Sequence, residues 1–575
     1  MSLAGCFVIL ARVPPSRGYE ISVYDAYPVF FWFFIALTIV SGFFILIDST
    51  FFEYKSDLYL LGFLFILLSN FIILNFPILR GYAFYGRDDA ISHLGFVKDI
   101  LVTGHVGESN FYPLSHILVT TISIILNVEP SKIIVMVTPL FYLIYANGIF
   151  MLAQIIAKDL KQALLVVIFA TPISIGIYSA EYYPIGLSIM LIPLILYFFF
   201  KKMKIPSFQF AIPFLIFIFA SIFLHPLTCL LLIPIFVIYG LSVLICRHVK
   251  AYKKSALPEI LNPTLIIFIA FVSWISSFKI FITRPTYLFD WFSSEFKYSY
   301  IRVYQTAIEK ANPGTYEFIE VFLRMYGQSL IYLIFFIWAG SLVFKKIFLK
   351  RRSLHENEVF FALSTIFFGF IFIIFLFTGF DVLGHPFRLT PIITMNMAIS
   401  NGLILFDKIT KMMPKNKNFL VCLLALMIIL SSFLGLFSTY SSPLIKTLGH
   451  AVSYTEFTGG EWLAKNGELT TKVIPVASQF GWRMREATLG FEIGSKGRSS
   501  LPPPHFGYDS NNSASSVFKE KVYIVITIFD IMYYTDLWPI QGSFYISDFE
   551  KLNNDLGVNL IYVNKGFTTY YVDES

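Results

Sequence analysis

Charge is scarce in this chain. Asp, Glu, Lys and Arg make up 14% of its 575 residues, while 57% are hydrophobic and 18% aromatic, a balance that excludes a soluble domain of ordinary size. Cysteine is almost absent. Cys6, Cys229, Cys246 and Cys422 are scattered, and three of them lie in or beside long apolar runs, so neither a disulfide framework nor a CxxC metal pattern is available. There is no Walker A loop, no GxGxxG after a strand, no HExxH and no GxSxG, so ATP-driven transport and the familiar hydrolase chemistries get no support. The first apolar stretch, Leu3 to Leu10, is short and soon meets Pro14-Pro15, unlike a cleavable signal peptide. No repeat of fixed period is visible.

What fills the chain is long apolar runs, with a mean hydropathy of +0.72. Runs of eighteen or more such residues can cross a hydrocarbon core of roughly 30 Å. They predict about twelve spans, near 27–47, 58–79, 133–157, 162–180, 184–200, 207–224, 226–245, 262–283, 326–344, 359–379, 388–406 and 419–438. The fold class expected is a polytopic α-helical membrane protein. The net charge of +7 resides largely in short loops, including Lys158 and Lys161, Lys201 to Lys204, Arg247 to Lys254, Lys345 to Arg352 and Lys408 to Lys417. These loops fall on one side, which the positive-inside rule makes cytoplasmic.

The opposite, extracytoplasmic side then receives the N-terminal loop Gly18 to Pro28, the Asp88-Asp89 loop, the Glu181-Tyr182-Tyr183-Pro184 turn and the His225-Pro226 turn. It also receives the 284–325 loop, the Asp381 to Arg388 loop and everything after about 440. Leu114 to Asn127 is apolar but on this count does not cross, and reads as a helix in the outer interface. Composition breaks near Tyr440-Ser441-Ser442-Pro443. Residues 1–439 therefore read as a transmembrane domain and 440–575 as a small extracytoplasmic α/β domain. In that tail Thr471 to Ser478, Val522 to Phe529 and Asn559 to Val563 resemble strands. Ser547-Asp548-Phe549-Glu550 resembles the opening of a helix.

Chemistry is expected where carboxylates meet this outer face, because ionisable groups in such proteins are costly to place. Asp88 and Asp89 lie in YGRDDAISHLGFVKD. Neighbouring residues of a regular helix point about 100° apart. At a loop-to-helix junction, however, one can face a cleft as a general base while the other caps the helix. With His93 the pair could also hold a hard cation such as Mg²⁺ or Mn²⁺, although adjacent aspartates chelate poorly and no metal is required. The bland alternative is that Asp89 caps the helix and Asp88 is solvated. Arg388, at the outer end of a span, could grip phosphate oxygens bidentately or snorkel to lipid headgroups. His385 and His225 are candidates for the same phosphate, His225 otherwise being a structural turn residue. Glu181 and Tyr182 are further cleft candidates. The 284–325 loop reads as an interfacial anchor or a lid.

An acidic pair in an early external loop, a helix carrying His93 and Lys98, then Gly104-His105 and Asn110-Phe111-Tyr112-Pro113, resembles the first external loop of GT-C membrane glycosyltransferases. The polytopic core with an extracytoplasmic α/β tail is similar too, and the tail is most like those of prokaryotic, archaeal-type members. The motif likeness covers residues 85–116 and, more weakly, 223–228 and 381–391. The resemblance implies transfer of a sugar from a polyprenyl- or dolichyl-phosphate carrier to a glycan, lipid or protein acceptor. Asp88 or Asp89 would be the first-loop catalytic carboxylate and Arg388 the ligand of the lipid phosphate. The acidic loop here follows the second predicted span, whereas the family places it after the first. No WWDYG-like motif occurs in the tail, which argues against a sequon-binding oligosaccharyltransferase. Nothing suggests a nucleic-acid partner. Two other readings compete: a transporter or flippase for a lipid-linked substrate, which calls for charges at the bilayer midplane, and a non-catalytic cell-envelope scaffold, in which Asp88, Asp89 and Arg388 need not converge.

Overall fold

The computed structural model describes residues 1–52, 57–172, 176–250, 257–278, 300–311, 313–349, 355–379, 386–499, 505–510, 512–538 and 544–573. His385 and Asp381 lie outside the described residues.

Every one of the twelve predicted spans coincides with a helix. Eight helices are long and apolar enough to cross a membrane: Val29–Phe51, Pro130–Ile156, Pro184–Lys204, Pro226–His248, Thr315–Phe348, Glu356–Thr378, Pro386–Thr410 and Pro414–Phe437. Leu58–Leu74, Leu160–Ala170, Phe208–Leu224 and Leu257–Ile275 are shorter. Two expectations are corrected. The span read as 162–180 stops at Ala170, because Pro172 follows Thr171 and a residue before proline is disfavoured in a helix. The span read as 326–344 is a 34-residue helix, Thr315–Phe348, that takes in the end of the 284–325 loop, where nothing after Gly314 interrupts it. Pro113–Leu126 is a 14-residue helix where an interfacial one is expected.

The helices share two unlike ends. Lys158, just past the Pro130–Ile156 helix, pairs with Asp407 and with Glu358, which is buried and also holds Lys346 at 2.6 Å. Asp407 sits near the C-terminus of the Thr390–Thr410 helix and Arg388 just before its N-terminus. Its 21 residues span about 31 Å at 1.5 Å per residue. Lys158, held by Asp407, and Arg388 thus stand about one bilayer thickness apart.

After Phe437 the chain builds a four-stranded sheet in the order β3-β4-β6-β5: β3 (Lys472–Ile474), β4 (Val522–Thr527), β5 (Val558–Val563) and β6 (Phe567–Val572). β3 runs parallel to β4, and the other pairs are antiparallel. β4 is buried along its whole length, and its side chains alternate between two cores. Tyr523 and Val525 join the apolar core shared with the spans, whereas Val522, Ile524 and Ile526 pack in a second cluster with Phe506 and Phe544. β6 is a strand the sequence reading does not include. The helix read as opening at Ser547 begins instead at Ile546, where Asp548 accepts the Tyr545 N–H at 2.8 Å.

The tail folds back onto the first loop. β1 (Phe84–Tyr85) pairs antiparallel with β2 (Ala451–Val452). Arg87, 1% exposed, donates to Glu456 and to the Ala451 carbonyl, both at 2.7 Å, and lies over the rings of Tyr19 and Phe529. The Asp89–Thr103 helix packs against the Phe480–Leu489 helix so closely that a Cβ on Gly95 would come within 2.6 Å of the Glu486 carbonyl. At its far end Asp99 accepts the backbone N–H groups of Phe491 and Glu492 at 3.0 and 3.3 Å.

Candidate active site

Where these elements meet there is a cavity of about 280 Å³. The first loop contributes Asp89, Ser92, His93 and Tyr112, the short turns contribute Tyr183, His225 and Arg388, and the tail contributes Arg483 and Arg498. Asp89, His93, His225 and Arg388 are thus brought together from stretches far apart in sequence.

Local sequence explains each placement. The backbone turns at Gly86, whose φ of +110° suits glycine and whose missing Cβ leaves room for Ala90. The helix then starts at Asp89, with Asp88 as the residue before it. The two carboxylates diverge. Asp88 Oδ1 accepts the Gln479 N–H at 3.4 Å and does not line the cavity. Asp89 Oδ1 is 2.5 Å from Arg483 Nη2, its side chain still 56% exposed. Among the described residues no three His, Cys, Asp or Glu side chains form a group able to hold a metal ion. With the pair turned towards different partners, its donor set does not fit a shared Mg²⁺ or Mn²⁺.

The two histidines take opposite tautomers, as assigned from their hydrogen bonds. Asn110 Oδ1 accepts the Tyr112 N–H at 3.2 Å, which fixes that atom as oxygen, so His116 Nδ1, at 2.9 Å, must carry a proton. In the neutral ring His116 Nε2 is then an acceptor, and His93 Nδ1, 2.9 Å away, is the donor. His93 Nε2 is left as a bare lone pair on a ring that lines the cavity. At His225 the order reverses. Nδ1 accepts the Thr228 N–H at 3.2 Å and lies 2.9 Å from its hydroxyl, so Nε2 carries the proton. Burial pushes His93 down to about 4, Asp89 opposing and Arg483 reinforcing the shift. Burial, with Arg388 and His93 adding to it, lowers His225 to about 3. Both rings are neutral at neutral pH.

Arg388 is carried on the turn Pro386–Leu389. Its charge acts on Tyr112, where it opposes the rise due to burial, as well as on His225, and the Tyr112 and His225 rings stack at 5.2 Å. Glu181 and Tyr182 stand behind the cavity rather than on it. Glu181 is buried, bonded to His450 Nδ1 at 2.6 Å and to the Tyr183 hydroxyl at 2.9 Å. Tyr182 places its ring edge-on to His93 at 5.5 Å.

Sequence reasoning misses His116 and the two tail arginines. His116 had a signal, since it follows Tyr112-Pro113 by one helical turn on the face that meets His93. Arg483 had none. It is fixed by Gln479 Oε1 at 2.7 Å, by Ser92 Oγ at 2.7 Å and by the Trp482 ring. Arg498 bonds buried Glu486 through Nε and lies over Trp482 and Phe491, both at 4.9 Å.

No family model and no curated protein matches the chain. Solved structures do. The archaeal oligosaccharyltransferase AglB from Archaeoglobus fulgidus, in complex with an inhibitory peptide and a dolichol-phosphate, aligns at 13% identity over 90% of this chain and 75% of its own, with a TM-score of 0.49. ArnT from Cupriavidus metallidurans bound to undecaprenyl phosphate aligns at 9% identity over 90% of this chain and 98% of its own, again at 0.49. In the apo state ArnT gives 10% identity and 0.47. These scores lie under 0.5, so it is the chain's own cavity that has to carry any statement of function.

Proposed function

We propose that this chain is a membrane glycosyltransferase that moves a sugar from a polyprenyl-phosphate donor to an acceptor hydroxyl on the extracytoplasmic face. What carries the reading is the meeting, on one cavity, of a carboxylate, a bare imidazole nitrogen, an imidazole N–H and a guanidinium: Asp89, His93, His225 and Arg388. Displacement at an anomeric carbon needs a basic group near the attacking hydroxyl and positive or N–H donors near the departing phosphate.

In this reading Arg388 and the His225 Nε2–H face the phosphate and stabilise the charge that grows on it. Asp89 and His93 face the acceptor. Direct attack inverts the anomeric centre, and the energy comes from the donor's own phosphate ester. His385 stays a candidate for the same phosphate by sequence alone. No step is routed through a metal, since Asp88 and Asp89 do not share a ligand position. By the positive-inside rule, the basic residues at the far ends of the helices support an extracytoplasmic position for the cavity. The division proposed is 1–439 for the membrane body and 440–575 for an outer α/β domain, the latter lending Arg483 and Arg498 to the site.

The test is transfer or hydrolysis by the purified chain in lipid nanodiscs, supplied with dolichyl phosphate mannose or glucose and assayed by mass spectrometry. Release or transfer of sugar that Arg388→Gln abolishes is the result expected. A protein that neither binds dolichyl phosphate nor turns over either donor is not this enzyme.

A further inference from the structure

His93 is the best-organised proton acceptor in the cavity. We propose that His93 Nε2, and not Asp89, receives the acceptor's proton, and that His116 and Asn110 are positioning residues that hold the ring in the required tautomer. This rests on the glycosyltransferase reading.

The argument starts from a backbone amide. The Tyr112 N–H can only donate, so it orients the Asn110 side chain, which orients His116, which orients His93. Each distance in the chain is between 2.9 and 3.2 Å, within the range of a sound hydrogen bond. A relay that began from a hydroxyl could reverse its direction, but one that begins from a peptide N–H cannot. A neutral His93 therefore cannot carry its proton on Nε2 without losing one of these bonds. Nε2 makes no hydrogen bond of its own among the described residues, and His93, 6% exposed, lines the cavity. Asp89 is placed differently: one oxygen is already held by Arg483, and the side chain is more than half exposed. It is suited to balance a charge near His93.

The groups around the His93 ring are Asp89 and Arg483, the His116 ring that accepts from its Nδ1, the rings of Phe96, Tyr112 and Tyr182, and His225. Of these only Asp89 favours the charged ring. In the step, the acceptor O–H bond breaks, its proton bonds to Nε2, and its electron pair forms the new bond to the anomeric carbon. The bond from that carbon to the phosphate oxygen breaks, and its electrons leave with the phosphate. The imidazolium so formed sits beside the Asp89 charge and returns its proton to water through the cavity mouth.

Two measurements test this on the full chain in nanodiscs. With ¹⁵N-histidine labelling, solid-state NMR at neutral pH should show His93, identified by its loss in His93→Gln, with Nδ1 protonated and Nε2 bare. His116→Phe should abolish that single state. A protonated Nε2 in the wild type overturns the proposal whether or not turnover is seen. With dolichyl phosphate mannose as donor, His93→Gln should lower kcat by about 100-fold or more, the range expected for loss of a general base, with the donor KM within about 3-fold. His116→Phe should lower kcat by about 10-fold at an unchanged KM. If His93→Gln melts early, His93→Asn takes its place. A His93 variant that keeps a tenth or more of wild-type kcat, while Asp89→Asn is inactive, returns the proton to Asp89 and overturns the proposal. A wild type that binds dolichyl phosphate and shows the tautomer but never turns over removes the glycosyltransferase reading, and the base with it.

Discussion

Arg483 Nη2 lies 2.5 Å from Asp89 Oδ1, joining the tail to the first residue of the first-loop helix. The contact separates two aspartates that are adjacent in sequence. Asp89 joins the cavity through it, while Asp88 turns to the Gln479 backbone.

Asp89→Asn should therefore lower turnover of a dolichyl-phosphate sugar by about 10-fold or more, whereas Asp88→Asn should change it by less than about 3-fold. Parallel kcat measurements on the two variants check this. Equal losses would mean that the pair acts together after all.

Arg388 carries the proposed phosphate contact. Removing one such donor typically costs about 2.7–4 kcal/mol of transition-state stabilisation, or about 10²–10³ in rate. Arg388→Gln should fall in that range, and Arg388→Lys should recover only part of it, since a lysine cannot offer a bidentate fork. Retention of full activity in the lysine variant would reduce the role to a point charge.

Gly95 sets how closely the first loop meets the tail. Gly95→Ala places a methyl 2.6 Å from the Glu486 carbonyl, a backbone atom that cannot step aside alone. Overpacking of this kind costs about 1–3 kcal/mol. A lower melting temperature should be accompanied by lost turnover, because Glu486 also supports Ser92 and Arg498. A variant with wild-type melting and wild-type rate would show that the two helices can separate freely.

Acid should weaken the fold before it weakens exposed salt bridges. His93 and His225 have folded values pushed down to about 4 and about 3, against 6.5 when unfolded. Between pH 6.5 and about 4 the unfolded chain binds protons that the folded chain refuses, so stability falls as pH falls. His450 has the opposite sign. Burial lowers it, but the charge and hydrogen bond of Glu181 outweigh burial, and its value is raised. Its contribution is full below 6.5 and is lost as pH rises through the folded value. Melting curves from pH 4 to 9 should show both limbs, with the alkaline one missing in His450→Gln.

Much of this was legible in the sequence because apolar length is a strong signal. Every predicted span corresponds to a helix, and the errors fall where proline or its absence moves an end, as at Pro172 and at Thr315. The cavity was half legible. Asp89, His93, His225 and Arg388 stand next to turns and span ends, where a charged or polar residue in an apolar chain is conspicuous. Arg483 and Arg498 lie in a polar tail among many charges. The pairing of β1 with β2, the contact at Gly95 and the bonds of Arg87 and Asp99 to the tail turn them towards the loop, and such long-range contacts leave no local periodicity.

The β1–β2 pairing also sets an order of events in biosynthesis. Residues 84 and 85 leave the ribosome well over 350 residues before their partners 451 and 452. At ordinary elongation rates the first loop waits roughly 20–70 s for the tail. During that interval Arg87, bound for full burial, has neither Glu456 nor the Phe480 and Phe529 rings to receive it. A nascent chain halted before residue 450 would insert its helices yet present an open, unfinished loop. A truncated product would lack Arg483 and Arg498, and with them one wall of the cavity.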